Sequence, residues 1–230
     1  MQDRWLFVPR ATAAFYVPKR NQHLIRTTYP TSHGFVPIDP SNSEIINPLP
    51  DGTPQSPFIQ LFEFVATADN SPYLCIQAAL KFREVVCGGE EKIQAYSTRL
   101  ARETAKKAEE AWGTEIMATD HIDKSAMIQV RLPVLVGSDG AGGNDGVGAM
   151  DVTEGPTEWH ITEEEAVKAA KWISDKLVTD CNTFAAIFVH GNKLWVRFSG
   201  QIYLEMADME KGIADIGKLC GRVREGKWKE

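Results

Sequence analysis

The chain has 230 residues, a net charge of −6, 43% hydrophobic and 24% charged residues, and four cysteines. That length allows one large domain or two small ones around a buried core, and the composition is ordinary for a globular protein. The acidic balance argues against nucleic acid or an anionic membrane as partner, no apolar run reaches the roughly 18 residues of a membrane helix, and no signal peptide is recognisable, so a cytoplasmic protein is expected.

Trp5 to Val8 is a short apolar run stopped by Pro9, and Ala13 to Val17 is a second one stopped by Pro18. Their spacing is too short for a crossover helix, which predicts an antiparallel strand pair. A fully apolar strand needs neighbours on both faces, so the opening residues read as the middle of a domain. Residues 26–57 are rich in Pro, Ser, Thr, Asn and Gly and read as a long functional or covering loop. Phe58 to Val65 returns to apolar character as a strand or short helix. Ser71-Pro72 starts a helix with Leu74, Ala78, Phe82 and Val85 on its apolar face, ended by Gly88-Gly89.

A longer helix follows, with Ile93, Tyr96, Leu100, Thr104 and Ala111 on one side and a dense charged face opposite, closed by Gly113. Ala126 to Leu132 is a strand. Gly137 to Glu158 is Gly- and Asp-rich and reads as a mobile surface insertion. Its Gly140 to Gly146 segment lacks the helix and the Lys-Ser/Thr pair of a phosphate loop. Thr162 and Glu165 form a capping box ahead of the stripe Ala166, Ala170, Ile173 and Leu177, and Glu163 to Glu165 suits the helix dipole. Phe184 to Val189 and Leu194 to Phe198 form a hairpin through His190 to Lys193. Asp208 caps a last helix whose apolar face is Ile213, Ile216, Cys220 and Val223. Cys75, Cys87, Cys181 and Cys220 show no CxxC spacing and are expected to be reduced, mostly core thiols. His23, His121, His160 and His190 show no metal spacing, so no metal site is expected.

The run Arg4-Trp5-Leu6-Phe7-Val8-Pro9-Arg10 resembles the His-Lys-Trp-Leu-x-x-Pro-Arg/Lys-Gly segment of the class V aminotransferase superfamily, in particular its isopenicillin N epimerase-like branch, which includes C–S lyases of the hercynylcysteine sulfoxide lyase type. Arg20 to His23, Ser32 to Phe35, Asp69 to Leu74 and Trp195 to Tyr203 extend the similarity over nearly the whole chain, against the C-terminal half of the family's length. The resemblance implies an α/β to α+β architecture. Residues 1–88 would be the tail of a large domain that binds pyridoxal phosphate, residues 89–112 a bridging helix, and residues 113–230 a small C-terminal α+β domain. It also implies an amino-acid substrate reacting at its α-carbon on the cofactor, with C–S lyase, desulfurase, epimerase or transaminase outcomes, and a homodimer when complete.

The family's Schiff-base lysine falls at Arg4, its preceding His at Asp3, and its final Gly at Ala11. A guanidinium stays protonated and cannot form the Schiff base. Lys19 is the nearest lysine in sequence. The resemblance places Thr67, Asp3 and Trp5 at the cofactor, with Thr67 towards its phosphate and Ala66 replacing the family's Gly; a turn-forming Thr ahead of a helix cap is the plainer reading. Arg197 matches the residue that clamps the substrate α-carboxylate, a task that suits its planar fork of donors; the plainer reading is an edge-strand Arg reaching solvent. His33, with Ser32, would line the same pocket, or be a solvated loop His. Two functions remain open: an incomplete copy of the enzyme, silent because Arg4 replaces the lysine, or a non-catalytic dimerisation or amino-acid-binding module. With the upstream half absent, the strands around Trp5 to Val8 and Phe15 to Val17 should leave an exposed apolar patch.

Overall fold

The computed structural model describes residues 5–10, 12–28, 38–39, 41, 56–63, 69–117, 124–137 and 160–229. Two compact units divide the chain, Met1–Val86 and Cys87–Glu230. The secondary structure is mixed, helices with a small antiparallel sheet. The loop reading of residues 26–57 and the Gly137 to Glu158 insertion fall largely outside the described residues.

In the first unit, the expected strand pair is corrected. Residues 5–10 and 12–18 form no strand. Phe7 has φ 63°, in the left-handed region, which turns the chain where an extended run must stay flat. A lone apolar run also gains no ladder without a neighbouring strand. The opening residues are held instead by a helix. After α1 (Pro57–Glu63) and the single turn α2 (Ser71–Leu74), α3 (Ile76–Val85) carries Arg83, whose Nη1 donates to the Trp5 carbonyl at 2.5 Å. The same guanidinium lies 4.8 Å from the centre of the Phe7 ring, and Phe82 meets Phe7 edge-on at 6.3 Å. Phe15 packs beside Phe58 and Phe62 of α1 yet stays 61% exposed, and Tyr16 is 85% exposed.

The helix at Ser71 does form, with Pro72 in its first turn, but the residue ahead of it is Asn70 and the capping acceptor is Asp69. A break at Cys75 separates α2 from α3. The predicted face of Leu74, Ala78, Phe82 and Val85 is exposed, and Ala79 and Arg83 are the buried positions. Periodicity identified a stripe correctly as helical, but the side that meets protein is the one where Arg83 finds the Trp5 carbonyl.

The second unit is organised by α4 (Glu90–Trp112), α5 (Glu163–Thr179), α6 (Met206–Arg224) and a sheet of β1 (Met127–Arg131), β4 (Ala186–His190) and β5 (Lys193–Ser199). Two residues each form β2 (Leu135–Val136) and β3 (His160–Ile161), a parallel pair too short to leave a sequence signal. The sheet order is β1-β5-β4, antiparallel throughout, so β5 is central. Gly88 and Gly89 at φ 79° and 95° separate α3 from α4, and Gly113 at φ 61° ends α4 in the left-handed cap that favours glycine.

The buried positions of α4 (Ile93, Ser97, Leu100, Ala101, Thr104, Ala105 and Ala108) have small side chains along much of their length, which lets the helix lie close on the sheet. Leu194, Val196 and Phe198 of β5 and Ile128 and Val130 of β1 alternate onto that side and meet Ile173 and Leu177 of α5 and Ile216 and Leu219 of α6. Trp112 stacks on Phe198 with centroids 6.2 Å apart. The hairpin turn is Gly191-Asn192, both at φ 55°, as a two-residue turn of the type I′ sort requires.

Both later helices begin on reciprocal caps. Glu165 N–H donates to Thr162 Oγ1 at 3.2 Å, and Thr162 N–H donates to Glu165 Oε2 at 3.0 Å. Thr162→Ala is expected to cost the second unit about 1 kcal/mol, read as a lower urea midpoint with an unchanged slope. For α6 the cap is Glu205, with Asp208 as its returning partner rather than the cap itself, since Glu205 N–H donates to Asp208 Oδ2 at 2.9 Å. Cys220 is the one cysteine fully in the core, where burial pushes its thiol up to about 12. Contrary to the core expectation, Cys75 is exposed and Cys87 and Cys181 are only partly buried. No described helix is long and apolar enough to cross a membrane.

Candidate functional site

Alternation along the sheet puts Leu194, Val196 and Phe198 into the core and sends Lys193, Trp195, Arg197 and Ser199 to the opposite face. Register then fixes their neighbours. Gln129 on β1 and Ala186 on β4 stand opposite Arg197, while Arg131 and Phe188 stand opposite Trp195. A bridge between Ile116 and Val130 adds the stretch after α4 alongside β1, with Arg131 N–H donating to Glu115 O and Met117 N–H donating to Gln129 O, each at 2.9 Å. This alignment brings Glu115 beside Arg131. Among the described residues, the face therefore carries three cations (Arg131, Lys193 and Arg197), the Glu115 carboxylate and the rings of Trp195 and Phe188.

Arg197 lies on the central strand, which removes the edge-strand reading. Its side chain is half-buried, and its Nε is fully enclosed with no hydrogen-bond partner. Among the described residues the guanidinium has no carboxylate partner. Ala186 opposite it has only a methyl group and offers the guanidinium no side-chain acceptor from β4. An unpartnered donor at a water-poor position costs free energy unless a ligand satisfies it, and an anion with two acceptor oxygens matches the fork geometry.

The other two cations are occupied. Lys193 Nζ donates to Glu115 Oε1 at 2.8 Å, and Arg131 Nε lies 3.0 Å from the same oxygen. The Arg131 contact is an ion pair without hydrogen-bond alignment, since its Nε finds no acceptor at a suitable angle. The Lys193 hydrogen bond holds the Glu115 carboxyl below its usual range, with the charges of Lys193 and Arg131 adding to it and partial burial opposing it. Trp195 is 6% exposed and donates Nε1–H to the His190 carbonyl at 2.9 Å, which locks its ring as a wall beside Arg197.

Trp5 is half-buried in the first unit, its carbonyl taken by Arg83. Asp3, Arg4, His33 and Thr67 lie outside the described residues, as do Ser32 and Ala66. Lys19 is exposed in a 3-10 turn (Lys19–Leu24). Following the Thr67 stretch, Asp69 Oδ1 accepts from Ser71 N at 2.9 Å and from Ser71 Oγ at 2.6 Å, which lowers its carboxyl from the usual value. That helix start is thus served by an internal carboxylate. Glu115, Arg131 and Gln129 were not singled out from sequence. The alternation Met127 to Arg131 held a signal for the last two, but Glu115 joins the face only through a single bridge.

No protein-family model matches the chain. It is 35% identical over 237 residues to an L-cysteine desulfhydrase-like protein of Epichloe uncinata, lolT2, an alignment covering 96% of this chain and 48% of that protein. A second such protein of the same organism, lolT1, is 32% identical over 233 residues, covering 96% and 49%. A hercynylcysteine sulfoxide lyase of Schizosaccharomyces pombe is 23% identical over 212 residues, covering 89% and 41%. The chain spans about half the length of the curated relatives it matches. Homologues named L-cysteine desulfhydrase-like protein and hercynylcysteine sulfoxide lyase thus cover nearly all of the chain.

Proposed function

We propose that this chain is the substrate-carboxylate portion of a C–S lyase of the cysteine desulfhydrase type, from a family that uses pyridoxal phosphate, and that residues 1–230 are catalytically silent by themselves. The observation that carries the reading is Arg197, a half-buried guanidinium on a central strand whose enclosed Nε has no partner. The α-carboxylate of an amino acid supplies the missing acceptors. The names of the relatives supply the substrate class, an amino acid with sulfur on its side chain.

The cofactor itself fits less well than its substrate. When bound in an enzyme, pyridoxal phosphate withdraws electrons from the substrate's α-carbon. Covalent retention requires an uncharged lysine amine, and the position that the resemblance assigns to it is Arg4. The Asp69 carboxylate at the start of α2 opposes a phosphate there. The role left to the chain is to hold and orient an amino acid by its carboxylate, with Trp195 closing one side. An amino-acid-binding module without catalysis is the second reading, and the same unpartnered guanidinium favours it.

Purified residues 1–230 incubated with pyridoxal phosphate and then freed of unbound cofactor by gel filtration should retain no protein-bound absorbance band that borohydride reduction fixes to the chain, and should release no sulfide from L-cysteine. Arg4→Lys supplies an amine at that position and is the matching comparison. A borohydride-sensitive band in the unaltered protein, together with sulfide release, would overturn the silent reading. Failure of carboxylates to perturb Arg197 would overturn the binding role.

A further inference from the structure

Arg197 is one of three cations on its face of the sheet, and the other two converge on a single oxygen, Glu115 Oε1. We infer that Glu115 is a specificity-determining residue: by occupying Arg131 and Lys193 it leaves Arg197 as the one uncompensated cation of this face among the described residues and restricts the face to ligands with one carboxylate. This rests on the reading of Arg197 as a carboxylate clamp and adds the class of amino acid admitted, one whose side chain is not acidic.

The geometry follows from strand register. Arg131 stands opposite Trp195, two residues from Arg197 along β5 and on the same face. Diagonal neighbours across an antiparallel pair are about 7–8 Å apart at the backbone, within reach of two arginine side chains. Without Glu115, Arg131 would form the second half of a two-guanidinium site suited to a diacid, and Lys193 would add a further cation at its margin. With Glu115 in place, the triad of Arg131, Lys193 and Glu115 carries one net positive charge instead of two. A second ligand carboxylate entering beside Arg131 would meet the Glu115 carboxylate, which is a like-charge contact. Glu115 is well placed for this because its backbone is bonded to that of Arg131, with Arg131 N–H donating to Glu115 O at 2.9 Å. Its side-chain position is set by the sheet and not by the side-chain ion pairs alone. Gln129, the direct cross-strand neighbour of Arg197, is neutral and adds no competing charge.

Butyrate and succinate test the inference, since they share a four-carbon chain and differ by one carboxylate. Residues 1–230 labelled with 15N-arginine are titrated with each, and the Arg197 Nε–H resonance, assigned from Arg197→Lys, is followed. In the unaltered protein butyrate should move that resonance and succinate should bind at least about threefold more weakly. Glu115→Gln should tighten succinate by roughly three- to tenfold and leave butyrate within about twofold. Adding Arg131→Gln to Glu115→Gln should return the ratio to its starting value, a result that a purely structural role for Glu115 would not produce. Glu115→Ala is a second arm should the glutamine variant fold poorly. Equal tightening of both acids, or no change in their ratio, would overturn the inference while leaving Arg197 as a clamp. Butyrate leaving the Arg197 resonance unmoved would overturn the clamp, and the inference with it.

Discussion

Replacing Gly200 by alanine is expected to destabilise the second unit by about 3 kcal/mol, enough to threaten folding of a marginally stable domain. Gly200 follows the last residue of β5, and a Cβ built on it would lie 2.0 Å from the Ser97 carbonyl oxygen and 2.8 Å from its carbon. Both atoms belong to the backbone of α4, which is packed on β1, β5 and α6 and has no flexible end to move aside. Gly200 is also fixed from its other side, since its N–H donates to the Ala126 carbonyl at 2.8 Å. Relief must come from sliding the strand end off the helix, which opens the Leu100 and Phe198 region of the core. A matched control is available within the same unit. Gly212 of α6 has nothing within 4 Å of its built Cβ, so Gly212→Ala should be neutral or stabilise by up to about 1 kcal/mol through helix propensity. Urea unfolding followed by far-UV circular dichroism checks the pair. Similar midpoints for the two variants would show that the close approach of β5 to α4 is softer than the contact implies.

Arg197→Leu should weaken carboxylate binding by at least about tenfold and raise the stability of the second unit by roughly 1 kcal/mol. The two signs together are the point of the experiment. A guanidinium that stabilises the fold has partners, and its removal weakens the protein. Arg197 instead keeps an enclosed Nε without an acceptor on the strand between β1 and β4, so an apolar leucine, shorter and without a donor, removes that desolvation cost. A residue that costs stability in the unliganded protein is explained by what it binds. The measurements are the urea midpoint and the butyrate titration on the same variant. A loss of stability on substitution would mean that Arg197 is a structural residue, and the carboxylate reading would lose its main support.

Much of the second unit is legible in the sequence, and for a local reason. The stripes of α5 and α6, that of α4 apart from the exposed Ala111, the Thr162 to Glu165 cap, the Gly113 stop and the Gly191-Asn192 turn each arise within a few residues of chain, so periodicity and turn chemistry suffice. The first unit shows the opposite case. Trp5 to Val8 and Ala13 to Val17 have strand-like composition, yet neither pairs, because a ladder depends on a neighbour that no local pattern specifies. The exposed face of α3 misled in the same way: an amphipathic pattern names a helix, and only a partner decides which side is covered.

The candidate site divides along the same line. By itself the sequence determined that Arg197 sits in an apolar strand with a planar donor fork, and that Arg4 cannot supply the amine a Schiff base needs, since both follow from side-chain chemistry at known positions. Tertiary structure decided that β5 is the central strand, that Gln129 and Ala186 flank Arg197, and that Glu115, 82 residues away in sequence, ties up the neighbouring cations. Those facts depend on strand order and register, which arise from contacts between segments distant in the chain and are therefore invisible to any window read along it.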